Sequence, residues 1–167
     1  MRFAKFHASI LALSATALVG TAFAMDTPKP DPKEPEKKKE ADKKKDLQEV
    51  RDAIARQDWP AAEAAARAAV VRQPGNADAH NLYAYAVRKG AQPRMDLVFR
   101  HYNEALRIDP QHRGAHEYLG EAYLMTGNLG KAKEHLAILG RLCSAGCEEQ
   151  ATLQRAVTFF ETSHASK

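Results

Sequence analysis

Cysteine is scarce in this chain: the 167 residues contain two, Cys143 and Cys147, so any disulfide, thiolate or thiol-redox chemistry is confined to that pair. Strong charge of one sign is also missing. The formal net charge is +4, and Arg2 and Lys5 belong to an N-terminal segment; without them 23 Lys plus Arg face 21 Asp plus Glu. Such a balance supplies no strong field toward phosphates, and no arginine-rich stripe interleaves with aromatics, so nucleic acid is not an expected partner. Long apolar runs are absent too. The longest, Ala8 to Gly20, falls short of the roughly 20 apolar residues that a membrane-spanning helix requires. There is no Gly-x-Ser-x-Gly, no phosphate-cradling glycine loop and no His-Glu-x-x-His, so neither an enzymatic activity nor a cofactor is expected.

What is present begins with an export signature. Arg2 and Lys5 form a positive start, Ala8 to Gly20 an apolar run, and Ala22-Phe23-Ala24 a small-x-small cleavage site. Residues 1–24 read as a signal peptide cleaved after Ala24, which places the mature chain in the periplasm or outside the cell; an uncleaved anchor is the alternative. Residues 25–46 follow as a charged linker. From Asp26 to Asp46 the chain carries eight Lys and seven Asp or Glu, with Pro28, Pro30, Pro32 and Pro35 in its first half. With almost no apolar side chain it cannot offset its own ordering entropy, so it reads as a solvated spacer. Contact with anionic lipid or wall polymer is the other reading.

From Leu47 onward, apolar and small residues recur at spacings of three and four, with no alternating stretch, and the fold class expected is all-α over residues 47–167. Breakers recur regularly: Asp58-Trp59-Pro60, Pro74-Gly75-Asn76, Gly90 to Pro93, Asp109-Pro110, Gly127-Asn128 and Ser144 to Gly146. They divide the segment into helix pairs. Pro60 suits a first helical turn, where its missing N–H has no partner to lose, and Asn76 and Asn128 suit N-caps.

The pairs repeat. His116, Leu119, Gly120 and Tyr123 stand at the spacing W-x2-L-G-x2-Y, and Ala132 and Leu136 follow at A-x3-F. Upstream, His80, Tyr83, Ala84 and Val87 match the first set, and Val98, Tyr102 and the run Ala105 to Pro110 match the second. Ala62, Ala66 and Pro74 belong to an earlier copy, with Trp59 corresponding to Met95 and Leu129; its first helix has only the stripe Leu47, Val50 and Ile54. This resembles the tetratricopeptide repeat, with His116 in place of the usual Trp. The resemblance implies a solenoid of about three helical hairpins, the first degenerate. Gly120 and Ala84 would sit where paired helices approach closely, Tyr102 and Leu136 would fill the space between hairpins, and Pro74 and Pro110 would end second helices. A final helix over 147–163, with the stripe Leu153, Ala156, Val157 and Phe160, would cap the stack; Phe159, at the edge of that stripe, is expected to pack, or else to form an exposed contact.

Family analogy places a binding site on the concave face lined by first helices. There the pattern puts Asn81, Tyr85 and Arg88, then Glu117, Glu121 and Leu124, each trio on one helix face. The alternative is an ordinary solvated face. Tyr85 and Leu124 amid charges favour a peptide or helix as partner, and Glu117 and Glu121 disfavour the capture of a C-terminal carboxylate. The expected function is a protein-protein adaptor. Cys143 and Cys147, spaced Cys-x3-Cys, suit a structural disulfide worth about 2 kcal/mol. Free thiols remain open, and so does the runner-up function, a copper or thiol-redox accessory protein, although the spacing is not that of thioredoxin-like proteins. His112 and His116 are four apart, yet His80 with His116, and His101 with His135, fall at equivalent repeat positions, so the framework explains them better than a metal site does.

Overall fold

The computed structural model describes residue 45 and residues 47–164. The signal peptide, its cleavage site and nearly all of the charged linker lie outside them. Among the described residues there are seven helices and no strand. The helices are α1 (47–55), α2 (Trp59–Arg72), α3 (Ala77–Lys89), α4 (Met95–Ile108), α5 (Arg113–Met125), α6 (Leu129–Leu142) and α7 (Glu148–His164). Trp59, Met95 and Leu129, equivalent in the sequence, each open a second helix.

Capping sets the helix starts. Asp58 Oδ1 accepts from the Ala61 N–H, Asn76 Oδ1 from Ala79 and Asn128 Oδ1 from Lys131, each satisfying an amide that the first turn leaves unpaired. His112 was not legible as a cap, since imidazole is an uncommon choice. Its Nδ1 nonetheless accepts from the Ala115 N–H at 3.1 Å and starts α5. The turns before α6 and α7 use Gly127 at φ 76° and Gly146 at φ 83°, where a side chain would be strained; Gln57 ends α1 in the same region at φ 56°.

Packing decides which helices form the inner wall. Each helix from α2 to α7 touches its neighbour in sequence, and α3 touches α5 as α5 touches α7, whereas α2, α4 and α6 do not touch one another. The first helices of successive hairpins therefore lie on the tighter, concave side. The main core runs through Val50, Ala66, Ala84, Val87, Val98, Tyr102 and Leu119, and it joins three hairpins because no single hairpin can cover its own apolar face. Each fully enclosed large side chain in it contributes about 2 kcal/mol. Ala62, Ala66 and Ala69 are completely buried and let α2 approach closely.

Gly120 requires a correction. Its missing Cβ accommodates α7, the next first helix, rather than its own hairpin partner: a Cβ there would stand 2.5 Å from Leu153 Cδ2 and 2.8 Å from Leu153 Cδ1. Leu153 and Val157 of α7, with Ala132 and Leu139 of α6, form the second core cluster. The last helix therefore occupies the place of a fourth first helix, covering the final hairpin and extending the concave wall.

Candidate functional site

The concave face assembles around Arg88. Its guanidinium is 8% exposed, binds the Glu121 carboxylate at 2.7 Å and donates from Nε to the Tyr102 hydroxyl at 3.4 Å. It also lies over the rings of Tyr85 and Tyr118, 5.5 and 5.6 Å from their centroids. Arg88 thus ties α3 to α4 and α5 and is consumed within the protein. Tyr85 is half-buried, edge-on to Trp59 and 4.7 Å from Tyr118 between centroids. Burial raises the Tyr85 phenol above its usual range and pushes Tyr118 up to about 12.

The six residues assigned to the groove are therefore brought together, but not as a solvated strip. Asn81, Arg88 and Glu117 are buried, Tyr85 and Glu121 are partly buried, and Leu124 packs against the cluster of Leu139, Leu153 and Val157. Sequence spacing set their helix face but not how far α5 and α7 close over it. Truncating Tyr85 and Leu124 together would cost stability, so they are poor probes of binding alone.

The open part of the face lies one turn further along. A cleft is lined by Leu124, Met125, Ala156, Phe159 and Phe160, with the Arg88–Glu121 pair at one side. Met125 is 53% exposed and Phe159 74% exposed. Phe159 is thus an exposed contact of α7, not a packed residue. The sequence gave a weak signal for it, since Phe159 falls off the Leu153–Val157 stripe.

Glu117 stands apart electrostatically. It is 8% exposed, and no hydrogen bond or ion pair reaches its carboxylate among the described residues. Burial, reinforced by Glu121 and Glu149, pushes its carboxyl from 4.5 up to about 7. A carboxyl raised in the folded state favours folding while protonated, and that stability is lost as pH rises from 4.5 to 7. Glu117→Gln should therefore be more stable than the parent at pH 8 by about 1 to 2 kcal/mol, with the difference shrinking toward pH 4.5. Urea unfolding at the two pH values measures this; a variant less stable at pH 8 would show that Glu117 has a hidden partner.

Two histidine pairs bridge the hairpins. His80 Nδ1 meets His101 Nδ1 at 2.8 Å, and His116 Nδ1 meets His135 Nδ1 at 2.9 Å. In each pair the Nε2 of the buried member lies 3.0 Å from the carbonyl oxygen of Pro74 or Pro110. A carbonyl only accepts, so His80 and His116 carry their protons on Nε2, and His101 and His135 donate from Nδ1. The repeat-equivalent histidines are therefore partners across a hairpin, each tethering the proline turn before it. His112 instead contributes Nε2 to Asp78 at 3.2 Å, which holds the Asp78 carboxyl below its usual range.

Cys143 and Cys147 are joined, with Cα atoms 5.6 Å apart, so a disulfide closes the link between α6 and α7. With each sulfur bonded to the other, neither is a thiolate ligand, and a copper or redox role would first require reduction.

A stack of helical hairpins that turns its first helices toward a shared cleft defines a repeat scaffold. The tetratricopeptide-repeat family model matches residues 47–96 and 100–139, and the chain belongs to that family. It is 34% identical over 90 residues to the inactive TPR repeat-containing thioredoxin TTL3 of Arabidopsis thaliana, covering 54% of this chain and 12% of that one. It is 34% identical over 73 residues to the TPR repeat-containing thioredoxin TTL4 of the same plant, covering 44% of this chain and 10% of that one. The chain thus spans about a tenth of the length of these relatives. Its fold is similar to that of the TPR2B domain in a TPR2B-domain:pHsp70 complex of yeast Sti1, with a TM-score of 0.61 and 18% identity, covering 74% of this chain and 96% of that one. A domain of this kind is a protein-protein interaction module, and such domains are generally scaffolds without catalysis.

Proposed function

We propose that this protein is an exported adaptor, periplasmic or secreted, that binds a peptide or protein segment in its concave groove. In this reading residues 1–24 direct export and are cleaved after Ala24, residues 25–46 act as a spacer, and residues 47–167 form the binding domain. The observation that carries the binding role is the exposed apolar wall of Met125 and Phe159, set beside the partly buried Leu124, Ala156 and Phe160. Large exposed apolar side chains gathered in a cleft with a polar rim mark an interaction site more than an ordinary surface. The groove residues named from sequence would form its floor and polar wall.

Met125→Ala with Phe159→Ala is the appropriate probe, because both side chains are exposed and contribute little to the core. Loss of two such anchors should cost on the order of 2 to 4 kcal/mol of binding, enough to abolish a micromolar interaction. Retention of periplasmic proteins on immobilised parent and variant measures it, with helicity followed by circular dichroism. A folded variant that retains the same proteins would move binding off the groove. Export has its own test: N-terminal sequencing of the exported protein should begin Met25-Asp26-Thr27, and an intact N-terminus in the membrane fraction would replace cleavage by an anchor.

A further inference from the structure

The carboxylates of α3 and α5 are all paired but one. Asp78 faces Arg51 at 3.8 Å and His112 at 3.2 Å, and Glu121 binds Arg88 at 2.7 Å. At the adjoining start of α7, Glu149 faces Arg113 at 3.8 Å, while Glu148 is exposed in a first turn, where the helix dipole favours it. Glu117 alone is both buried and without a cation. It stands among Glu121, Glu148 and Glu149, and the nearest guanidinium, that of Arg88, is committed to Glu121.

A second acceptor lies at the equivalent position of the preceding repeat. Asn81 is 5% exposed, and its Oδ1 is the only fully enclosed side-chain polar atom without a partner among the described residues. Its amide faces the first turn of α5, where a Cβ on Gly114 would stand 3.5 Å from Nδ2, one turn before Glu117. Since the Glu117 oxygens are unpaired and yet not fully enclosed, they keep an accessible edge. Buried acceptors without donors are costly, and here two fall on neighbouring first helices of the concave face.

We infer that this part of the groove takes a Lys or Arg side chain of the bound segment, with Glu117 as its counter-ion. The inference rests on the groove reading above and specifies the partner. Charge complementarity selects the cation, since Glu117 lacks one and its neighbours are acidic. The rings of Tyr85 and Tyr118 beside it suit a cation as well. Geometry then sets the pattern. Glu117 and Leu124, at the edge of the apolar cleft, are seven residues apart on α5, about 10 Å at the helical rise. An extended segment advances about 3.3 Å per residue, so the partner places a large apolar residue three positions from its basic one.

The test uses fluorescein-labelled peptides with Arg-Ala-Ala-Leu and Leu-Ala-Ala-Arg cores in Gly-Ser flanks, each paired with a copy carrying citrulline in place of Arg. Citrulline keeps the shape and removes the charge. Fluorescence anisotropy with the full chain should show one orientation binding, with citrulline weakening it at least tenfold. Glu117→Gln should reduce the Arg peptide to the citrulline level and leave the citrulline peptide unchanged. Equal binding of Arg and citrulline peptides, an unchanged ratio in Glu117→Gln, or no binding by any peptide at millimolar concentration would overturn the inference. Binding that is charge-blind but lost in Met125→Ala/Phe159→Ala would overturn it while leaving the groove reading intact. Binding that needs Glu117 but not Met125 or Phe159 would do the reverse.

Discussion

Replacing Arg88 by Met is expected to destabilise the domain by about 3 to 5 kcal/mol, a large part of the 5 to 15 kcal/mol typical of a domain this size. The side chain is 8% exposed, and its removal strands two groups at once. Glu121 loses a 2.7 Å counter-ion beside Glu117, and the fully buried Tyr102 hydroxyl loses its donor. Arg88→Lys should recover only part of the loss, because an ammonium cannot serve the carboxylate, the hydroxyl and two ring faces from one plane. A double-mutant cycle separates stranding from lost packing. Arg88→Met with Glu121→Leu should be more stable than Arg88→Met alone, since a buried pair replaced by apolar groups costs less than a broken one. Thermal unfolding measures all three; a melting temperature for Arg88→Met near that of the parent would mean that Arg88 is a free groove contact.

The second large effect is a loss of stability in mild acid. Burial, and then the partner histidine, lower His101 and His135 from 6.5 to about 4, and burial lowers His116 as well. The groups facing His101 are His80, Arg100, Glu104 and the Tyr83 ring; those facing His135 are His116, Glu134, Lys131 and the Tyr123 ring. A histidine lowered in the folded state binds its proton more readily when unfolded, so its contribution is complete above pH 6.5 and disappears as pH falls toward 4. Allowing for partial exposure, the two pairs together should account for a loss on the order of 3 kcal/mol across that window. His101→Asn with His135→Asn keeps a donor near each Nδ1 position without a titrating ring. Chemical unfolding from pH 7 to 4.5 should show a shallower decline for this variant. Parallel declines would assign the acid sensitivity elsewhere. The predicted gain of Glu117→Gln runs the other way, growing toward high pH, so the two effects are separable.

The disulfide and the glycine at position 120 bear on the same wall from two sides. Cys143–Cys147 closes the link into α7, and Gly120 lets α7 seat Leu153 against α5. Because α7 carries Ala156, Phe159 and Phe160 into the cleft, both features act on the groove through the position of one helix.

Local chemistry was legible without coordinates. The spacing of His116, Leu119, Gly120 and Tyr123, the caps at Asn76 and Asn128, and the equivalence of Trp59, Met95 and Leu129 follow from helical periodicity and from unpaired first-turn amides, which neighbours in sequence supply. The same periodicity placed Asn81, Tyr85, Arg88, Glu117, Glu121 and Leu124 on the inner helix face. It did not reveal that Arg88 closes on Glu121, that His80 meets His101, that Glu117 is left without a cation or that Phe159 stands exposed in a cleft. Those facts join residues of different helices, and their distances depend on how closely whole helices approach. That approach is decided by packing across hairpins, where a single missing Cβ at Gly120 sets the seat of α7 and with it the wall of the site.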